Sequence, residues 1–261
     1  MSIFSLSGKT ALVAGASRGI GLAIAQQLAE AGANTILAAR SVDKLQEHVQ
    51  ALQATGYQAS ALHLDLADSE SIRAALETIG TPDILVNVAG TNIRKSFPQY
   101  TRAEYTHLMR TNLDGIVELT QIVGARMIAR GAGGKIVMIG SIASLLGLPY
   151  MSVYSMTKGA LGQLTKALAA EWGRHNIQVN CIAPGFVVTD LNRHMWQSTE
   201  SAPMRDWLKG AQANSRLGMP DDIAPLAVFL AGRGADYITG QIIAVDGGYT
   251  TTAVWPFEPA D

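Results

Sequence analysis

"TALVAGASRGIGLAIAQQLAEAGA", residues 10–33, reads as a strand, a glycine turn and a helix in immediate succession. Residues 10–15 form an apolar run of strand length, and residues 19–33 carry an amphipathic helical pattern with Gly32 as its stop signal. Gly15, Gly19 and Gly21 lie at the junction. Glycine is needed where a strand turns sharply, where backbone must approach a pyrophosphate, and where a helix packs close on a sheet; the helix N-terminus then offers N–H groups to an anion. The spacing differs from G-x-G-x-x-G, and turns also collect glycine, so position directly after the first strand is what gives the motif its meaning.

Outward from this unit the same pattern recurs. "TALVAG", "NTILAAR", "ASALHLD", "DILVNVAG", "KIVMIGS", "IQVNCIAPG" and "QIIAVDGG" read as seven strands, most of them apolar nearly throughout, as parallel strands covered on both faces should be. Helical patterns separate them: residues 41–56 with Ser41 as N-cap and Asp43 as first-turn charge, then about 101–128, 152–174 and 220–230, the last opening at Pro220 with Asp221 and Asp222. Alternating strands and helices predict an α/β fold with a parallel sheet, and no linker, repeat or composition shift marks a second domain, so residues 1–261 are expected to form one. The stretch from Val188 to about Leu217 has no clear period, and a loop of that length predicts a lid.

The chain has 261 residues with 20 Lys+Arg against 21 Asp+Glu, a balance with no basic stripe, which argues against nucleic acid and anionic membrane as partners. One cysteine, Cys181, excludes an intrachain disulfide and is expected to be a small buried strand residue. The N-terminus lacks the pattern of a signal peptide and no stretch approaches a membrane span, so a soluble cytoplasmic protein is expected. None of the five histidines has metal-site spacing, and no metal is expected.

Three positions carry candidate chemistry. The second strand ends "AAR", placing Ala39 and Arg40 where an NAD-type site has an acidic residue, while Arg18 sits inside the glycine loop. Two guanidinium groups there suit a 2′-phosphate, although Arg40 could also be a solvated helix-start residue. Ser141 stands at the C-terminal edge of the fifth strand, and Tyr154 and Lys158 follow one helical turn apart. A free tyrosine, with a pKa of about 10, is a poor acid or base at neutral pH, but an adjacent ammonium would stabilise its phenolate. Tyr and Lys at i and i+4 also occur on any helix surface; the glycine loop and Ser141 are what raise the pair to machinery for carbonyl reduction.

Taken in order, the glycine loop, "NVAG", "TNLDG", Ser141, the Tyr154/Lys158 pair, "APGFVVT" and "VDGG" resemble the compact short-chain dehydrogenase/reductase family over nearly the whole chain. The resemblance implies a Rossmann-like doubly wound seven-stranded sheet, a nicotinamide cofactor, which Arg18 and Arg40 make NADP(H), and a homotetramer. It implies catalysis by Asn112, Ser141, Tyr154 and Lys158: the tyrosine as acid/base, the serine holding the substrate oxygen, the lysine on the nicotinamide ribose and lowering the tyrosine pKa, and the asparagine holding a water. It places Gly15, Ser17, Arg18, Gly19, Ile20, Gly21, Arg40, Asp65, Leu66, Asn87, Ala89, Gly90, Pro184, Gly185, Val187 and Thr189 along the cofactor, together with Tyr154 and Lys158. Two departures stand out. Ala14 replaces a threonine whose hydroxyl ties strands together, and Val88 replaces the second asparagine of "NNAG".

"TNIRKSF" after "NVAG" resembles the basic segment of gluconate 5-dehydrogenase-like sugar-acid reductases, so Arg94 or Lys95 is a candidate for a substrate carboxylate, against the plain alternative of two solvated loop charges. The lid's Met195, Trp196, Met204 and Trp207, with Trp255 and Phe257 near the C-terminus, instead suggest an apolar wall. A keto sugar acid such as 5-ketogluconate is the first expectation for the ketone/alcohol substrate; a bulky cyclic ketone, as for tropinone reductase-like members, or a 3-ketoacyl thioester is the alternative. A protein of this fold that binds NADP as a regulator without turnover is the alternative from another class.

Overall fold

The computed structural model describes residues 3–190, 192, 193, 196 and 198–251. Seven strands form one sheet in the order β3-β2-β1-β4-β5-β6-β7, every neighbouring pair parallel. They are β1 (Thr10–Ala14), β2 (Asn34–Ala39), β3 (Ala59–His63), β4 (Ile84–Asn87), β5 (Gly134–Ile139), β6 (Ile177–Pro184) and β7 (Ile242–Val245). The described helices are α1 (Gly19–Glu30), α2 (Val42–Ala54), α3 (Ser69–Glu77), α4 (Arg102–Met109), α5 (Gly115–Arg130), α6 (Ser152–Trp172), α7 (Ala202–Ala211) and α8 (Pro220–Ala231). All seven expected strands are present.

Near-continuous apolar strands bury both faces of the sheet. Val13, Leu37, Val86 and Ile139 pack on one side against Ile24 and Leu28 of α1, Leu45 of α2 and Ile223 of α8. Leu12, Ile36, Leu85, Met138 and Cys181 face the other side, against Ile72 of α3, Ile116 and Val123 of α5 and Leu161 of α6. Strand order reverses between β1 and β4, so the turn after β1 opens at the switch point where open α/β sheets form a crevice.

The helices depart from the expectation in three places. Residues 101–128 are not one helix: α4 and α5 are joined by a π-helical turn, Arg110–Asp114. The helix α3 falls between the expected elements; it is short and amphipathic, and Asp68 caps it by accepting from Glu70 N at 3.0 Å. The lid stretch contains α7, whose inner face holds Leu208 and Ala211. Ser41 does occupy the α2 N-cap, without a side-chain hydrogen bond. Met195, Trp255 and Phe257 lie outside the described residues. Among the described residues no helix is long and apolar enough to cross a membrane.

Ala14 does not leave its strands untied, because its carbonyl accepts from both Val88 N at 2.9 Å and Ala89 N at 3.0 Å.

Close approach decides one glycine outright. A Cβ on Gly115 would stand 1.8 Å from the Leu66 carbonyl oxygen, where α5 crosses under the loop after β3. Gly115→Ala should therefore cost roughly 2 kcal/mol or more of stability, since overpacking forces backbone to move. Gly210, near the end of α7, has nothing within 4 Å of its Cβ position, and Gly210→Ala should be neutral or stabilising by up to about 1 kcal/mol. Urea unfolding of the two variants checks the contrast.

Candidate active site

The C-terminal edge of the sheet opens into a cavity of about 720 Å³. One end is the glycine loop. Gly15 (φ +99°) and Gly19 (φ +56°) adopt backbone that L side chains rarely tolerate, and a Cβ on Gly21 would meet the Gly15 carbonyl at 2.1 Å. Gly15 N and Ala16 N both donate to Ala38 O, which folds the loop down on β2, and His48 Nε2 of α2 lies 3.3 Å from the Ser17 carbonyl oxygen. No side chain caps α1, and Gly19, Ile20 and Gly21, whose first-turn N–H groups have no partner within the helix, line the cavity.

Arg18, Arg40 and Lys44 line the same end and make no ion pair among the described residues. Lys44, in the first turn of α2, adds a third cation that sequence reading missed; its place three residues after Ser41 was the available signal. Asp65, Leu66, Ala89, Gly90, Pro184, Gly185, Val187 and Thr189 also line the cavity. Asn87 does not; it is fully buried behind the wall, donating to Thr120 Oγ1 at 2.9 Å and Met138 Sδ at 3.2 Å.

At the other end Ser141, at the edge of β5, and Tyr154, in the first turn of α6, line the cavity together, near enough for the serine hydroxyl to act on the tyrosine's ionisation. Ser141 Oγ also accepts from Ala143 N at 3.1 Å, and Ser144 Oγ donates to the Lys158 carbonyl at 2.7 Å, pinning the short turn after β5 onto α6. Lys158 is 3% exposed; its Nζ donates to Ile139 O at 2.8 Å and lies 5.8 Å from the Tyr154 ring centroid. Burial pulls its ammonium down to about 8.

The phenol behaves differently from the expectation that its lysine lowers it. Burial raises the Tyr154 pKa above the ordinary tyrosine value, and the groups that oppose the rise are the Ser141 hydrogen bond and the positive charge of Arg94. Asn112 sits in the π turn, fully buried, and does not reach the cavity wall. Its side chain brackets Thr91, accepting from Thr91 N at 2.8 Å and donating to Thr91 O at 2.7 Å. A Cβ on Gly90 would stand 3.4 Å from Lys158 Nζ and 3.5 Å from Asn112 Oδ1, at ordinary contact distance, so Gly90 lies directly beside both groups.

The neighbouring cations at 94 and 95 part company. Arg94 lines the cavity and its charge is felt at Tyr154. Lys95 does not line it: its Nζ pairs with Glu104 of α4 at 2.6 Å, and its N–H donates to Tyr150 O. Trp196 lines the lid side with Phe186, and Ile142, Leu148 and Met151 complete an apolar wall. Asn192 ties the lid to the segment after β6, accepting from Thr189 N at 2.7 Å and donating to Val187 O at 2.9 Å.

Residues 15–250 match the family described as Enoyl-(Acyl carrier protein) reductase. The chain is 39% identical over 254 residues to the gluconate 5-dehydrogenase of Gluconobacter oxydans (strain 621H), covering 96% of this chain and 98% of that one. It is 37% identical over 261 residues to a tropinone reductase homolog of Arabidopsis thaliana, covering 98% and 94%. A solved gluconate 5-dehydrogenase from Burkholderia cenocepacia J2315, in complex with NADP and tartrate, superposes with a TM-score of 0.91 at 38% identity, covering 96% and 98%.

The ion pair between Lys95 and Glu104 has a pH signature. The hydrogen bond from Lys95 holds the Glu104 carboxyl down at about 2, from an ordinary 4.5, so its contribution to stability is present above pH 4.5 and is lost as pH falls from there toward 2. Glu104→Gln should be less stable than wild type at pH 6, and the gap should close between pH 4.5 and 2; urea unfolding at both ends of that window reads it.

Proposed function

The chain belongs to the short-chain dehydrogenase/reductase family, and from that premise we propose that it is an NADP(H)-dependent oxidoreductase interconverting a ketone and a secondary alcohol, with a keto sugar acid such as 5-ketogluconate as substrate. The observation that carries this reading is the convergence of Tyr154 and Ser141 on one end of a cavity whose other end holds the uncapped N-terminus of α1 and three cations. Those groups fit a dinucleotide: the α1 N-terminus suits the pyrophosphate, and Arg18, Arg40 and Lys44 suit a 2′-phosphate.

A bound nicotinamide dinucleotide supplies the hydride. Tyr154 is the acid that gives a proton to the carbonyl oxygen in reduction and the base that removes it in oxidation. Ser141 holds that oxygen beside the phenol. Lys158 keeps a positive charge behind Tyr154, anchored on Ile139 O, and Asn112 fixes the loop at Thr91 that walls this charge in. Because burial keeps Tyr154 protonated at neutral pH, the resting site is set for carbonyl reduction.

Arg94 is the residue we assign to the substrate carboxylate, since it lines the cavity within electrostatic reach of the phenol, whereas Lys95 is engaged by Glu104. The Phe186–Trp196 wall favours a second reading, a bulky cyclic ketone. On the family resemblance we also propose a homotetramer in the cytoplasm.

Steady-state rates test these assignments. NADPH should be preferred over NADH by about 2 kcal/mol, roughly thirtyfold in kcat/KM, the scale of hydrogen bonds to charged groups. Tyr154→Phe should lose ~10²–10⁴ in rate with NADPH binding retained. Arg94→Ala should raise KM for 5-ketogluconate about tenfold or more while Lys95→Ala changes it far less. Turnover confined to uncharged cyclic ketones would overturn the sugar-acid reading and leave the second; stoichiometric NADPH binding with no consumption on any ketone would overturn both.

A further inference from the structure

The turn that leaves β5 is tied to α6 by one hydroxyl. Ser144 Oγ donates to the Lys158 carbonyl oxygen at 2.7 Å and accepts from Ser141 N at 3.3 Å, so a single oxygen bridges the main chains of two residues of the site. The bond to Lys158 is the only hydrogen bond from the turn Ile142–Ser144 to α6 among the described residues. Ser141 is held within the turn in return: its Oγ accepts from Ala143 N at 3.1 Å and its carbonyl oxygen from Ser144 N at 2.8 Å. The Lys158 ammonium, on Ile139 O at 2.8 Å, ties the strand end to the same helix, and Ser144 continues that tie through the turn. Room for its hydroxyl is kept at Gly140, where a Cβ would stand 2.8 Å from Ser144 Oγ, closer than a side chain can come. Ser144 itself does not line the cavity, whereas Ser141, Tyr154 and Lys158 do.

We propose that Ser144 is a positioning residue for the reaction: its hydroxyl sets Ser141 at the level of α6 where Tyr154 stands, and the rate depends on it through Ser141. The inference rests on the reading in which Ser141 and Tyr154 share the reacting oxygen, and it holds for a sugar acid and a cyclic ketone alike. Ser141 stands at a strand end and Tyr154 on a helix, so their separation is only as fixed as the bonds between those elements. Misplacing a reacting group by about 1 Å can cost on the order of 10²-fold in rate.

A double-mutant cycle on single-turnover NADPH oxidation tests it, with 5-ketogluconate as the ketone, or cyclohexanone should wild type reduce only uncharged ketones. Ser144→Ala should slow hydride transfer about tenfold or more in the wild-type background and less than about twofold in Ser141→Ala, where a positioning residue has nothing left to position. NADPH affinity, read by titration calorimetry, should stay within about twofold across all the variants, which a general loosening of the fold would not leave intact. Ser144→Cys, of similar size and only a weak donor, carries the same comparison if the alanine variant does not fold. Equal losses in the two backgrounds would mark Ser144 as a fold-stabilising residue only and overturn the proposal, as would no loss in the wild-type background or a loss matched by weaker NADPH binding. Failure of the underlying reading shows separately, as a Ser141→Ala rate equal to wild type or no wild-type turnover of either ketone, and takes the inference with it.

Discussion

A buried ammonium is the constraint around which the site is organised. Taking Lys158 out of water is expensive unless its charge is held, and here the Ile139 carbonyl at the end of β5 holds it. That bond fixes the register of α6 against the sheet. With Lys158 placed, Tyr154 lies one helical turn earlier beside Ser141, and Asn112 comes up to Lys158 from the other side of Gly90. The π turn between α4 and α5 belongs to the same arrangement, because it carries Asn112 to the loop after β4. Such turns recur at functional sites.

The electrostatics then divide the labour. Lys158 is drawn down to about 8 by burial and Tyr154 is pushed up, so the two ionisations are drawn apart and the ammonium gives up its proton before the phenol, the reverse of the order in a free tyrosine and lysine. The opposing forces on the phenol come from the substrate side, from Ser141 and Arg94. A carboxylate bound at Arg94 would offset that guanidinium and leave the phenol a firmer proton holder, which couples recognition of an acidic substrate to the direction of proton transfer.

Much of this was legible in the sequence because it depends on local pattern. Continuous apolar runs located all seven strands, and the Gly15/Gly19/Gly21 loop with Ser141, Tyr154 and Lys158 located both ends of the cavity. What escaped depends on three-dimensional detail. The π turn differs from α-helix by one residue in its hydrogen bonding, so residues 101–128 carry one helical pattern through it. Helix α3 buries only Ile72, Ala75 and Leu76, and α7 only Leu208 and Ala211, too few for an evident period. Arg94 and Lys95 are adjacent and chemically alike; only the position of Glu104 assigns one to the cavity and the other to an ion pair. Asn87 carries a polar side chain in a motif that borders the cavity, yet its partners Thr120 and Met138 lie on the far side of the strand.

The central claim is that Tyr154 moves the proton under the combined influence of burial, Ser141 and Arg94. Single-turnover hydride transfer followed by NADPH absorbance, measured against pH in both directions for wild type and Arg94→Ala, tests it most directly. The account predicts a reduction rate that is level through neutral pH and falls at alkaline pH, an oxidation rate that rises over the same range with the same apparent pKa, and a shift of both profiles to higher pH when Arg94 is removed. A reduction rate that climbs with pH, or profiles that Arg94→Ala leaves in place or moves to lower pH, would contradict it.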